Sequence, residues 1–193
     1  MKTLIRKYYL IALPVVFCFH AFATGKNKTN DLNDCTNYVL IQGSSNINRF
    51  EFINLNPNVS YVTDQKIVKL SDQKITIPVN KFSGANNMML NDFHKMLNAS
   101  KYPFINIEIE PREKADFDET TGLTNFKTKI SIAGNTRNYT IPCQITFCDN
   151  SAMVVKGDLE LELSDFNIDP PKKVFGAIQV NDKVFITFAF HYL

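Results

Sequence analysis

From Phe126 onward, apolar and polar residues alternate with period two over long stretches. Phe126, Thr128, Ile130 and Ile132 alternate with Asn125, Lys127, Lys129 and Ser131. Met153, Val155, Gly157, Leu159, Leu161 and Leu163 alternate in the same way with Val154, Lys156, Asp158, Glu160 and Glu162. Tyr139, Ile141, Cys143, Ile145 and Phe147 share a face, and the last segment sets Val184, Ile186, Phe188, Phe190 and Tyr192 against Lys183, Thr187 and His191. Successive side chains of a strand point to opposite sides, so each run predicts a strand with one wet face. Further strands are predicted at Tyr38 to Gln42, Ile47 to Leu55, Lys74 to Val79 and Phe104 to Glu110. Turn chemistry separates them, as at Gly43-Ser44-Ser45, Ala133-Gly134-Asn135, Asp149-Asn150-Ser151 and Asn181-Asp182. Eight or more strands joined mostly by short turns imply an antiparallel meander. Left open, such a sheet exposes a whole apolar face, so an all-β barrel or sandwich is expected.

One segment breaks the period. Met89, Phe93, Met96 and Leu97 fall at i, i+4, i+7 and i+8, which predicts one short helix near residues 87–97, stopped by Pro103. Its stripe either plugs an end of the barrel or, because methionine adapts its shape, lines a variable apolar ligand.

The N-terminus carries Lys2, Arg6 and Lys7, then an apolar run from Tyr8 to Phe19, then Ala21-Phe22-Ala23. That order is a secretory signal cleaved after Ala23, giving residues 1–23 as signal, 24–36 as a flexible lead-in and 37–193 as one domain. The run is far short of the roughly 20 residues needed to span hydrocarbon, so no transmembrane anchor is expected in the mature chain. A periplasmic or secreted location follows. The chain as a whole has 21 basic and 19 acidic residues, and losing the leader leaves one net negative charge. Sequence-independent nucleic-acid binding draws its affinity from Lys and Arg neutralising phosphates, so nucleic acid is excluded as a partner class.

Three cysteines remain after cleavage, Cys35, Cys143 and Cys148, an odd number that allows one internal bridge at most. Cys143 and Cys148 lie five apart in a strand-like stretch and so face opposite ways. Cys143 sits on the apolar face as a buried thiol, and Cys35 with Cys148 is the remaining pair. None of these spacings is a zinc or redox pattern.

The order of features resembles a known family. A strand leads to Gly43-Ser44-Ser45-Asn46 and a strand with Phe50. Met88-Met89 then opens the helix, and Lys101-Tyr102-Pro103 enters a strand centred on Ile105 to Ile109. Ile130-Ser131-Ile132-Ala133-Gly134-Asn135-Thr136-Arg137 follows, and Leu163-Ser164-Asp165-Phe166-Asn167-Ile168 leads to the final strand. Over about Tyr38 to Leu193 the chain is similar to the YceI family, exported bacterial proteins that bind lipids or polyisoprenoids. The resemblance implies an antiparallel eight-stranded lipocalin-like β-barrel with a long apolar cavity for an isoprenoid or fatty tail. Two features depart from it. Asn86-Asn87-Met88-Met89 stands where the family often has a longer charged run, and the cysteines match no family pattern.

An eight-stranded barrel is just wide enough either to be filled by side chains or to hold one slender ligand. The inward residues expected to touch an apolar lipid or isoprenoid are Phe50, Phe52, Phe126, Ile130, Ile132 and Tyr139, with Ile141, Ile145, Val155, Leu161, Phe188 and Phe190. Met89 and Phe93 join them from the helix. Arg49 and Arg137 each border an apolar strand and are the headgroup candidates. No cofactor, metal or catalytic site is expected, since His94 and His191 stand in no metal-ligand spacing and no nucleophile elbow or phosphate loop occurs. The alternative is a solid barrel acting as an envelope interaction or structural protein. Homodimerisation stays open.

Overall fold

Each alternating run becomes a strand, and the register between runs decides how the sheet curls. The computed structural model describes residues 35–55, 57–60, 74–110, 121–148 and 153–192. The expected signal, most of the lead-in and the loop at 64–73 lie outside the described residues.

The first half of the chain supplies β1 (Tyr38–Ser44), β2 (Arg49–Asn54), β3 (Asn58–Ser60), β4 (Lys74–Pro78) and β5 (Ser83–Gly84). The helix α1 (Asn87–Met96) and β6 (Phe104–Ile109) follow. The long strands are β7 (Leu123–Ile132), β8 (Asn135–Phe147), β9 (Met153–Glu162) and β12 (Lys183–Tyr192), with a small hairpin of β10 (Lys172–Lys173) and β11 (Ile178–Gln179) before the last. Ten strands form one antiparallel sheet in the order β3-β4-β6-β7-β8-β9-β12-β1-β2-β5.

β3, at one end of that order, follows directly in sequence on β2, which lies next to the other end. β2 pairs with β1 through Gly43↔Phe50 and Ile41↔Phe52, and a few residues later in the same run β3 pairs with β4 through Val59↔Ile75. The Asn54 side-chain amide, buried at the end of β2, donates to the Pro78 carbonyl at the end of β4, at 3.4 Å. That bond ties the β2 side of the curled sheet to its β3–β4 side. The curled antiparallel sheet makes a lipocalin-like barrel in which the two-residue β5 is left as a short edge beyond β2.

The register gives the barrel two unlike ends. At one end lie the β1–β2 turn, the β7–β8 turn, α1 and residues 163–182; at the other, the start of β1, the end of β8, the start of β9 and the end of β12. The second end is tied by a disulfide between Cys35 and Cys148, Cα atoms 6.1 Å apart, 113 residues apart in sequence. Beside it the Asn37 side-chain oxygen accepts from the His191 backbone N–H. Phe147, on the inward side of the pattern, is exposed here, because β8 runs on past the filled barrel.

At the helix end, Asn86 caps α1 by accepting from the Met89 N–H at 2.9 Å, which satisfies one of the orphan donors of the first turn. The predicted stripe is the buried side: Phe93 and Leu97 are buried, and Met89 and Met96 pack against the core. The Phe93 ring stacks on Phe52 at 4.3 Å and meets Phe82 edge-on at 5.4 Å, which fixes the helix across the barrel opening. After β9 the chain turns through a short 3-10 segment, Leu163–Phe166, with Phe166 fully buried and Asn167 in the left-handed region. The Asn135 amide donates to the Phe166 carbonyl at 2.7 Å, locking this corner to the β7–β8 turn.

Candidate functional site

The helix end of the barrel is hollow. A cavity of about 360 Å³ lies between α1 and the strands, within the range of small-molecule sites. Phe50 and Phe52 from β2, Met89 and Phe93 from α1, and Ile130 and Ile132 from β7 all line it. Ile141, Leu161, Phe188 and Phe190 line it from β8, β9 and β12. The other half of the barrel is filled. There only a void of about 30 Å³ remains, among Ile75, Ile109, Phe126, Cys143 and Val155.

The filled half takes up part of the expected site. Phe126 and Val155 border only the small void, and Ile145 borders neither space, although all three point inward as their period requires. Alternation specifies the face of a strand, whereas the depth along the barrel axis decides between cavity and packed core. Tyr139 also lies outside the cavity. It is half-buried over Phe166, ring centroids 6.2 Å apart, and its hydroxyl donates to Asp165 at 3.1 Å. Burial first, then that hydrogen bond and the Asp165 charge, push the phenol up to about 12. Arg49 and Arg137 are exposed and line no part of the cavity; one Arg137 nitrogen donates to the Thr136 carbonyl at 3.0 Å. Arg49 lies on the outer side of β2, whereas Arg137 shares a face with Tyr139 and Ile141 and stands opposite Ile130, but near the β7–β8 turn it is exposed and stays hydrated.

Several lining residues escape a reading based on the longest alternating runs. Val39 and Ile41 on β1, Ile77 on β4 and Ile105 on β6 face the cavity, and each occupies an inward position of a predicted strand. The β10–β11 hairpin has no such signal. Its two strands are two residues long, yet Lys173 and Ile178 line the mouth together with Pro171 and Val180.

Charge is nearly absent from the lining. Its two charged residues, Asp92 on α1 and Lys173 on β10, form an ion pair at 2.9 Å that ties the helix to the hairpin. The polar Ser45, Asn48 and Asn86 are occupied locally: the Ser45 hydroxyl donates to the Asn48 side-chain oxygen at 2.7 Å, and Asn86 caps the helix. Neither His94 nor His191 lines the cavity, and among the described residues no group of three or more His, Cys, Asp or Glu is placed to hold a metal ion. Cys143 is a free thiol buried in the filled half, and desolvation, with a smaller contribution from the Asp158 charge, pushes it up to about 12. Such a thiol is a packing group and a poor nucleophile. An apolar chamber without convergent polar groups can hold an apolar chain by desolvation.

No protein-family model matches the sequence, and no curated protein matches it. Solved structures do. Burkholderia cenocepacia BcnA aligns over 81% of this chain and 96% of its own, at 18% identity and a TM-score of 0.65. A polyisoprenoid-binding domain from Saccharophagus degradans, implicated in plant cell wall breakdown, covers 81% of this chain and 92% of its own, at 9% identity and a TM-score of 0.62. A mutant of the Campylobacter jejuni YceI protein covers 72% and 82%, at 12% identity and a TM-score of 0.54. The chain has the YceI-like barrel fold. Identities this low carry the fold alone, so the YceI-like barrel here is characterised by its own cavity, closed by α1 and the β10–β11 hairpin at one end and by packed side chains at the other. Among the described residues no helix is long and apolar enough to cross a membrane.

Proposed function

We propose that this protein is an exported member of the YceI family that holds the apolar tail of a lipid, such as a polyisoprenoid or a fatty chain, in the helix-end cavity. The observation that carries the reading is the hollow half-barrel of about 360 Å³ lined almost wholly by apolar side chains. Burial of each methylene yields about 0.8 kcal/mol, so ten ordered tail carbons supply about 8 kcal/mol of gross transfer energy before ordering costs are subtracted. The tail lies against Phe50, Phe52, Met89, Phe93, Ile130 and Ile132, and reaches Ile141, Leu161, Phe188 and Phe190 at the floor. Any headgroup stays at the mouth, beside the Asp92–Lys173 pair. The protein carries or sequesters without chemistry. The similarity to a domain described as polyisoprenoid-binding supports this reading, as does the leader-like N-terminus.

The test is to express the full chain in a bacterial envelope, purify the exported protein without detergent, and identify by mass spectrometry whatever organic solvent extracts. A prenyl or fatty chain in stoichiometric amount is expected. An empty extract from stable, monodisperse protein, repeated with lipids from its own host, defeats the carrier reading in favour of an interaction protein.

A further inference from the structure

The mouth of the cavity is ringed by apolar side chains that point away from the protein. Ile47 in the β1–β2 turn and Met88 in the first turn of α1 both line the opening, yet they are 64% and 72% exposed. At the tip of the β10–β11 hairpin Val174 is 65% exposed and Phe175 wholly so. Hydrogen bonds bring these residues to one rim. The Asn46 amide donates to the Ala177 carbonyl at 2.9 Å and its side-chain oxygen accepts from the Gln179 N–H at 3.0 Å, which joins the Ile47 turn to the hairpin. The Lys173–Asp92 pair joins the other side of the hairpin to α1, one turn after Met88.

The hairpin tip is also built against local preference. Val174 and Phe175 both have φ of 52°, followed by Gly176 at 91°. A left-handed conformation is uncommon for any residue but glycine, asparagine or aspartate, and for β-branched valine it is an outlier. Two consecutive large apolar residues are thus held outward where a polar turn residue suits the backbone better, and such outliers cluster at functional sites. Cationic groups stand beside them. Lys172, Lys173 and Arg49 are exposed at this end, against Asp92, which Lys173 already neutralises, Asp169 at the base of the hairpin, and Asp165 and Asp182, which are hydrogen-bonded to Tyr139 and Ser164.

We propose that this rim docks on the surface of an anionic lipid bilayer, with Phe175, Val174, Met88 and Ile47 inserted at the headgroup level and Lys172 and Arg49 among the phosphates. This deepens the carrier reading, on which it rests for its purpose: the mouth seated on the bilayer lets a tail pass between membrane and cavity without crossing water. The shape of the rim favours a fluid partner. Separate protrusions around an apolar opening leave a central gap against a flat rigid protein or a second copy, whereas lipid fills it. Aromatic and aliphatic tips flanked by Lys and Arg are the combination that binds the interface of anionic membranes.

The experiment is co-sedimentation of the full chain's exported product with vesicles of mixed phosphatidylcholine and phosphatidylglycerol, and with phosphatidylcholine alone. The wild type is expected to bind the anionic vesicles, more weakly at raised salt. Phe175→Ser is expected to weaken that binding by about tenfold and Lys172→Glu to weaken it on anionic vesicles alone. Phe175 is fully exposed and held in a strained conformation, so the melting temperature of Phe175→Ser does not fall below the wild-type value. Failure of the wild type to bind, or binding by Phe175→Ser equal to wild type, overturns the proposal. So does a self-associating protein whose dimer Phe175→Ser abolishes and vesicles leave intact. Extracting bound lipid from the same preparations separates the two readings. Lipid retained by Phe175→Ser while vesicle binding falls supports docking, and vesicle binding by a protein that never yields lipid supports docking while defeating the carrier.

Discussion

The Phe188 ring on β12 covers Gly157, its cross-strand partner on β9. A Cβ built on Gly157 would stand 2.6 Å from the Phe188 ring and 2.8 Å from the Cys143 sulfur. The same arrangement recurs where Phe50 covers Gly43 and where Phe52 covers Gly84, each pair again directly opposite in register. An aromatic ring laid over a glycine restores the packing that the missing side chain would have supplied, and the glycine gives the sheet room to bend. Phe188 also borders both the cavity and the small void, so its position over Gly157 sets the floor between the hollow and filled halves.

Substituting Gly157→Ala is therefore expected to destabilise the barrel by about 1–3 kcal/mol, the usual cost of overpacking a core. Urea denaturation measures it. Combining it with Phe188→Leu is expected to recover part of the loss, as neighbours in contact are not additive. A strictly additive double mutant argues against the clash.

A second prediction separates the two halves of the barrel. Ile132 lines the cavity and Val155 borders only the small void, so one enlargement should act on the ligand and the other on the fold. Ile132→Phe is expected to keep wild-type circular dichroism while cutting retained lipid about tenfold or more, since displacing two or three tail methylenes forfeits about 0.8 kcal/mol each. Val155→Phe is expected to lower stability by about 1–3 kcal/mol instead, because no empty volume receives the ring. Mass spectrometry of extracts beside melting curves tells them apart, and equal effects from the two would argue against a hollow half.

The strands and the helix were legible because each rests on a local period. The alternation through Phe126 and Ile130 placed β7, and the i, i+4, i+7 stripe of Met89, Phe93 and Met96 placed α1 to within a residue at its end. The division of the interior was not legible. Phe126 and Ile130 lie on one face of one strand, yet only Ile130 meets the cavity, because that depends on what the neighbouring strands and the helix place at the same depth. The mouth was hidden for a different reason. The β10–β11 hairpin is held by Asn46 and by the Asp92–Lys173 pair, which come from segments more than eighty residues away or more than a hundred and thirty, so no period within 169–180 announces it.

The Cys35–Cys148 bridge closes a loop of 113 residues at the end opposite the cavity. Constraining an unfolded chain over so long a loop is worth about 2–4 kcal/mol in typical proteins, and about 4.7 kcal/mol in the pure chain-entropy estimate for a 100-residue loop. Replacing both with serine, Cys35→Ser with Cys148→Ser, is expected to lower the unfolding free energy by that order. Lipid retention in the folded fraction should stay at the wild-type level, since neither cysteine lines the cavity. Denaturation midpoints and lipid extraction, run on the same preparation, check both halves of the expectation.

Alkaline pH offers a test through two groups whose protons the fold holds, Cys143 in the filled half and Tyr139 over Phe166. Burial raises the Cys143 thiol from 9.0 to about 12, and burial with the Asp165 hydrogen bond raises the Tyr139 hydroxyl from 10.0 to about 12. In the unfolded chain both groups release their protons at ordinary values, so above those values the unfolded state binds fewer protons than the folded one. Stability then falls as pH rises. The contribution is complete below about pH 9 and is lost between there and about pH 12, starting with Cys143 and joined by Tyr139 from about pH 10. Melting temperatures taken across this window should decline for the wild type. Cys143→Ala starts lower, having lost a buried group, but declines less steeply over the first part of the window; an unchanged slope would show that the thiol titrates in the folded protein as it does in water.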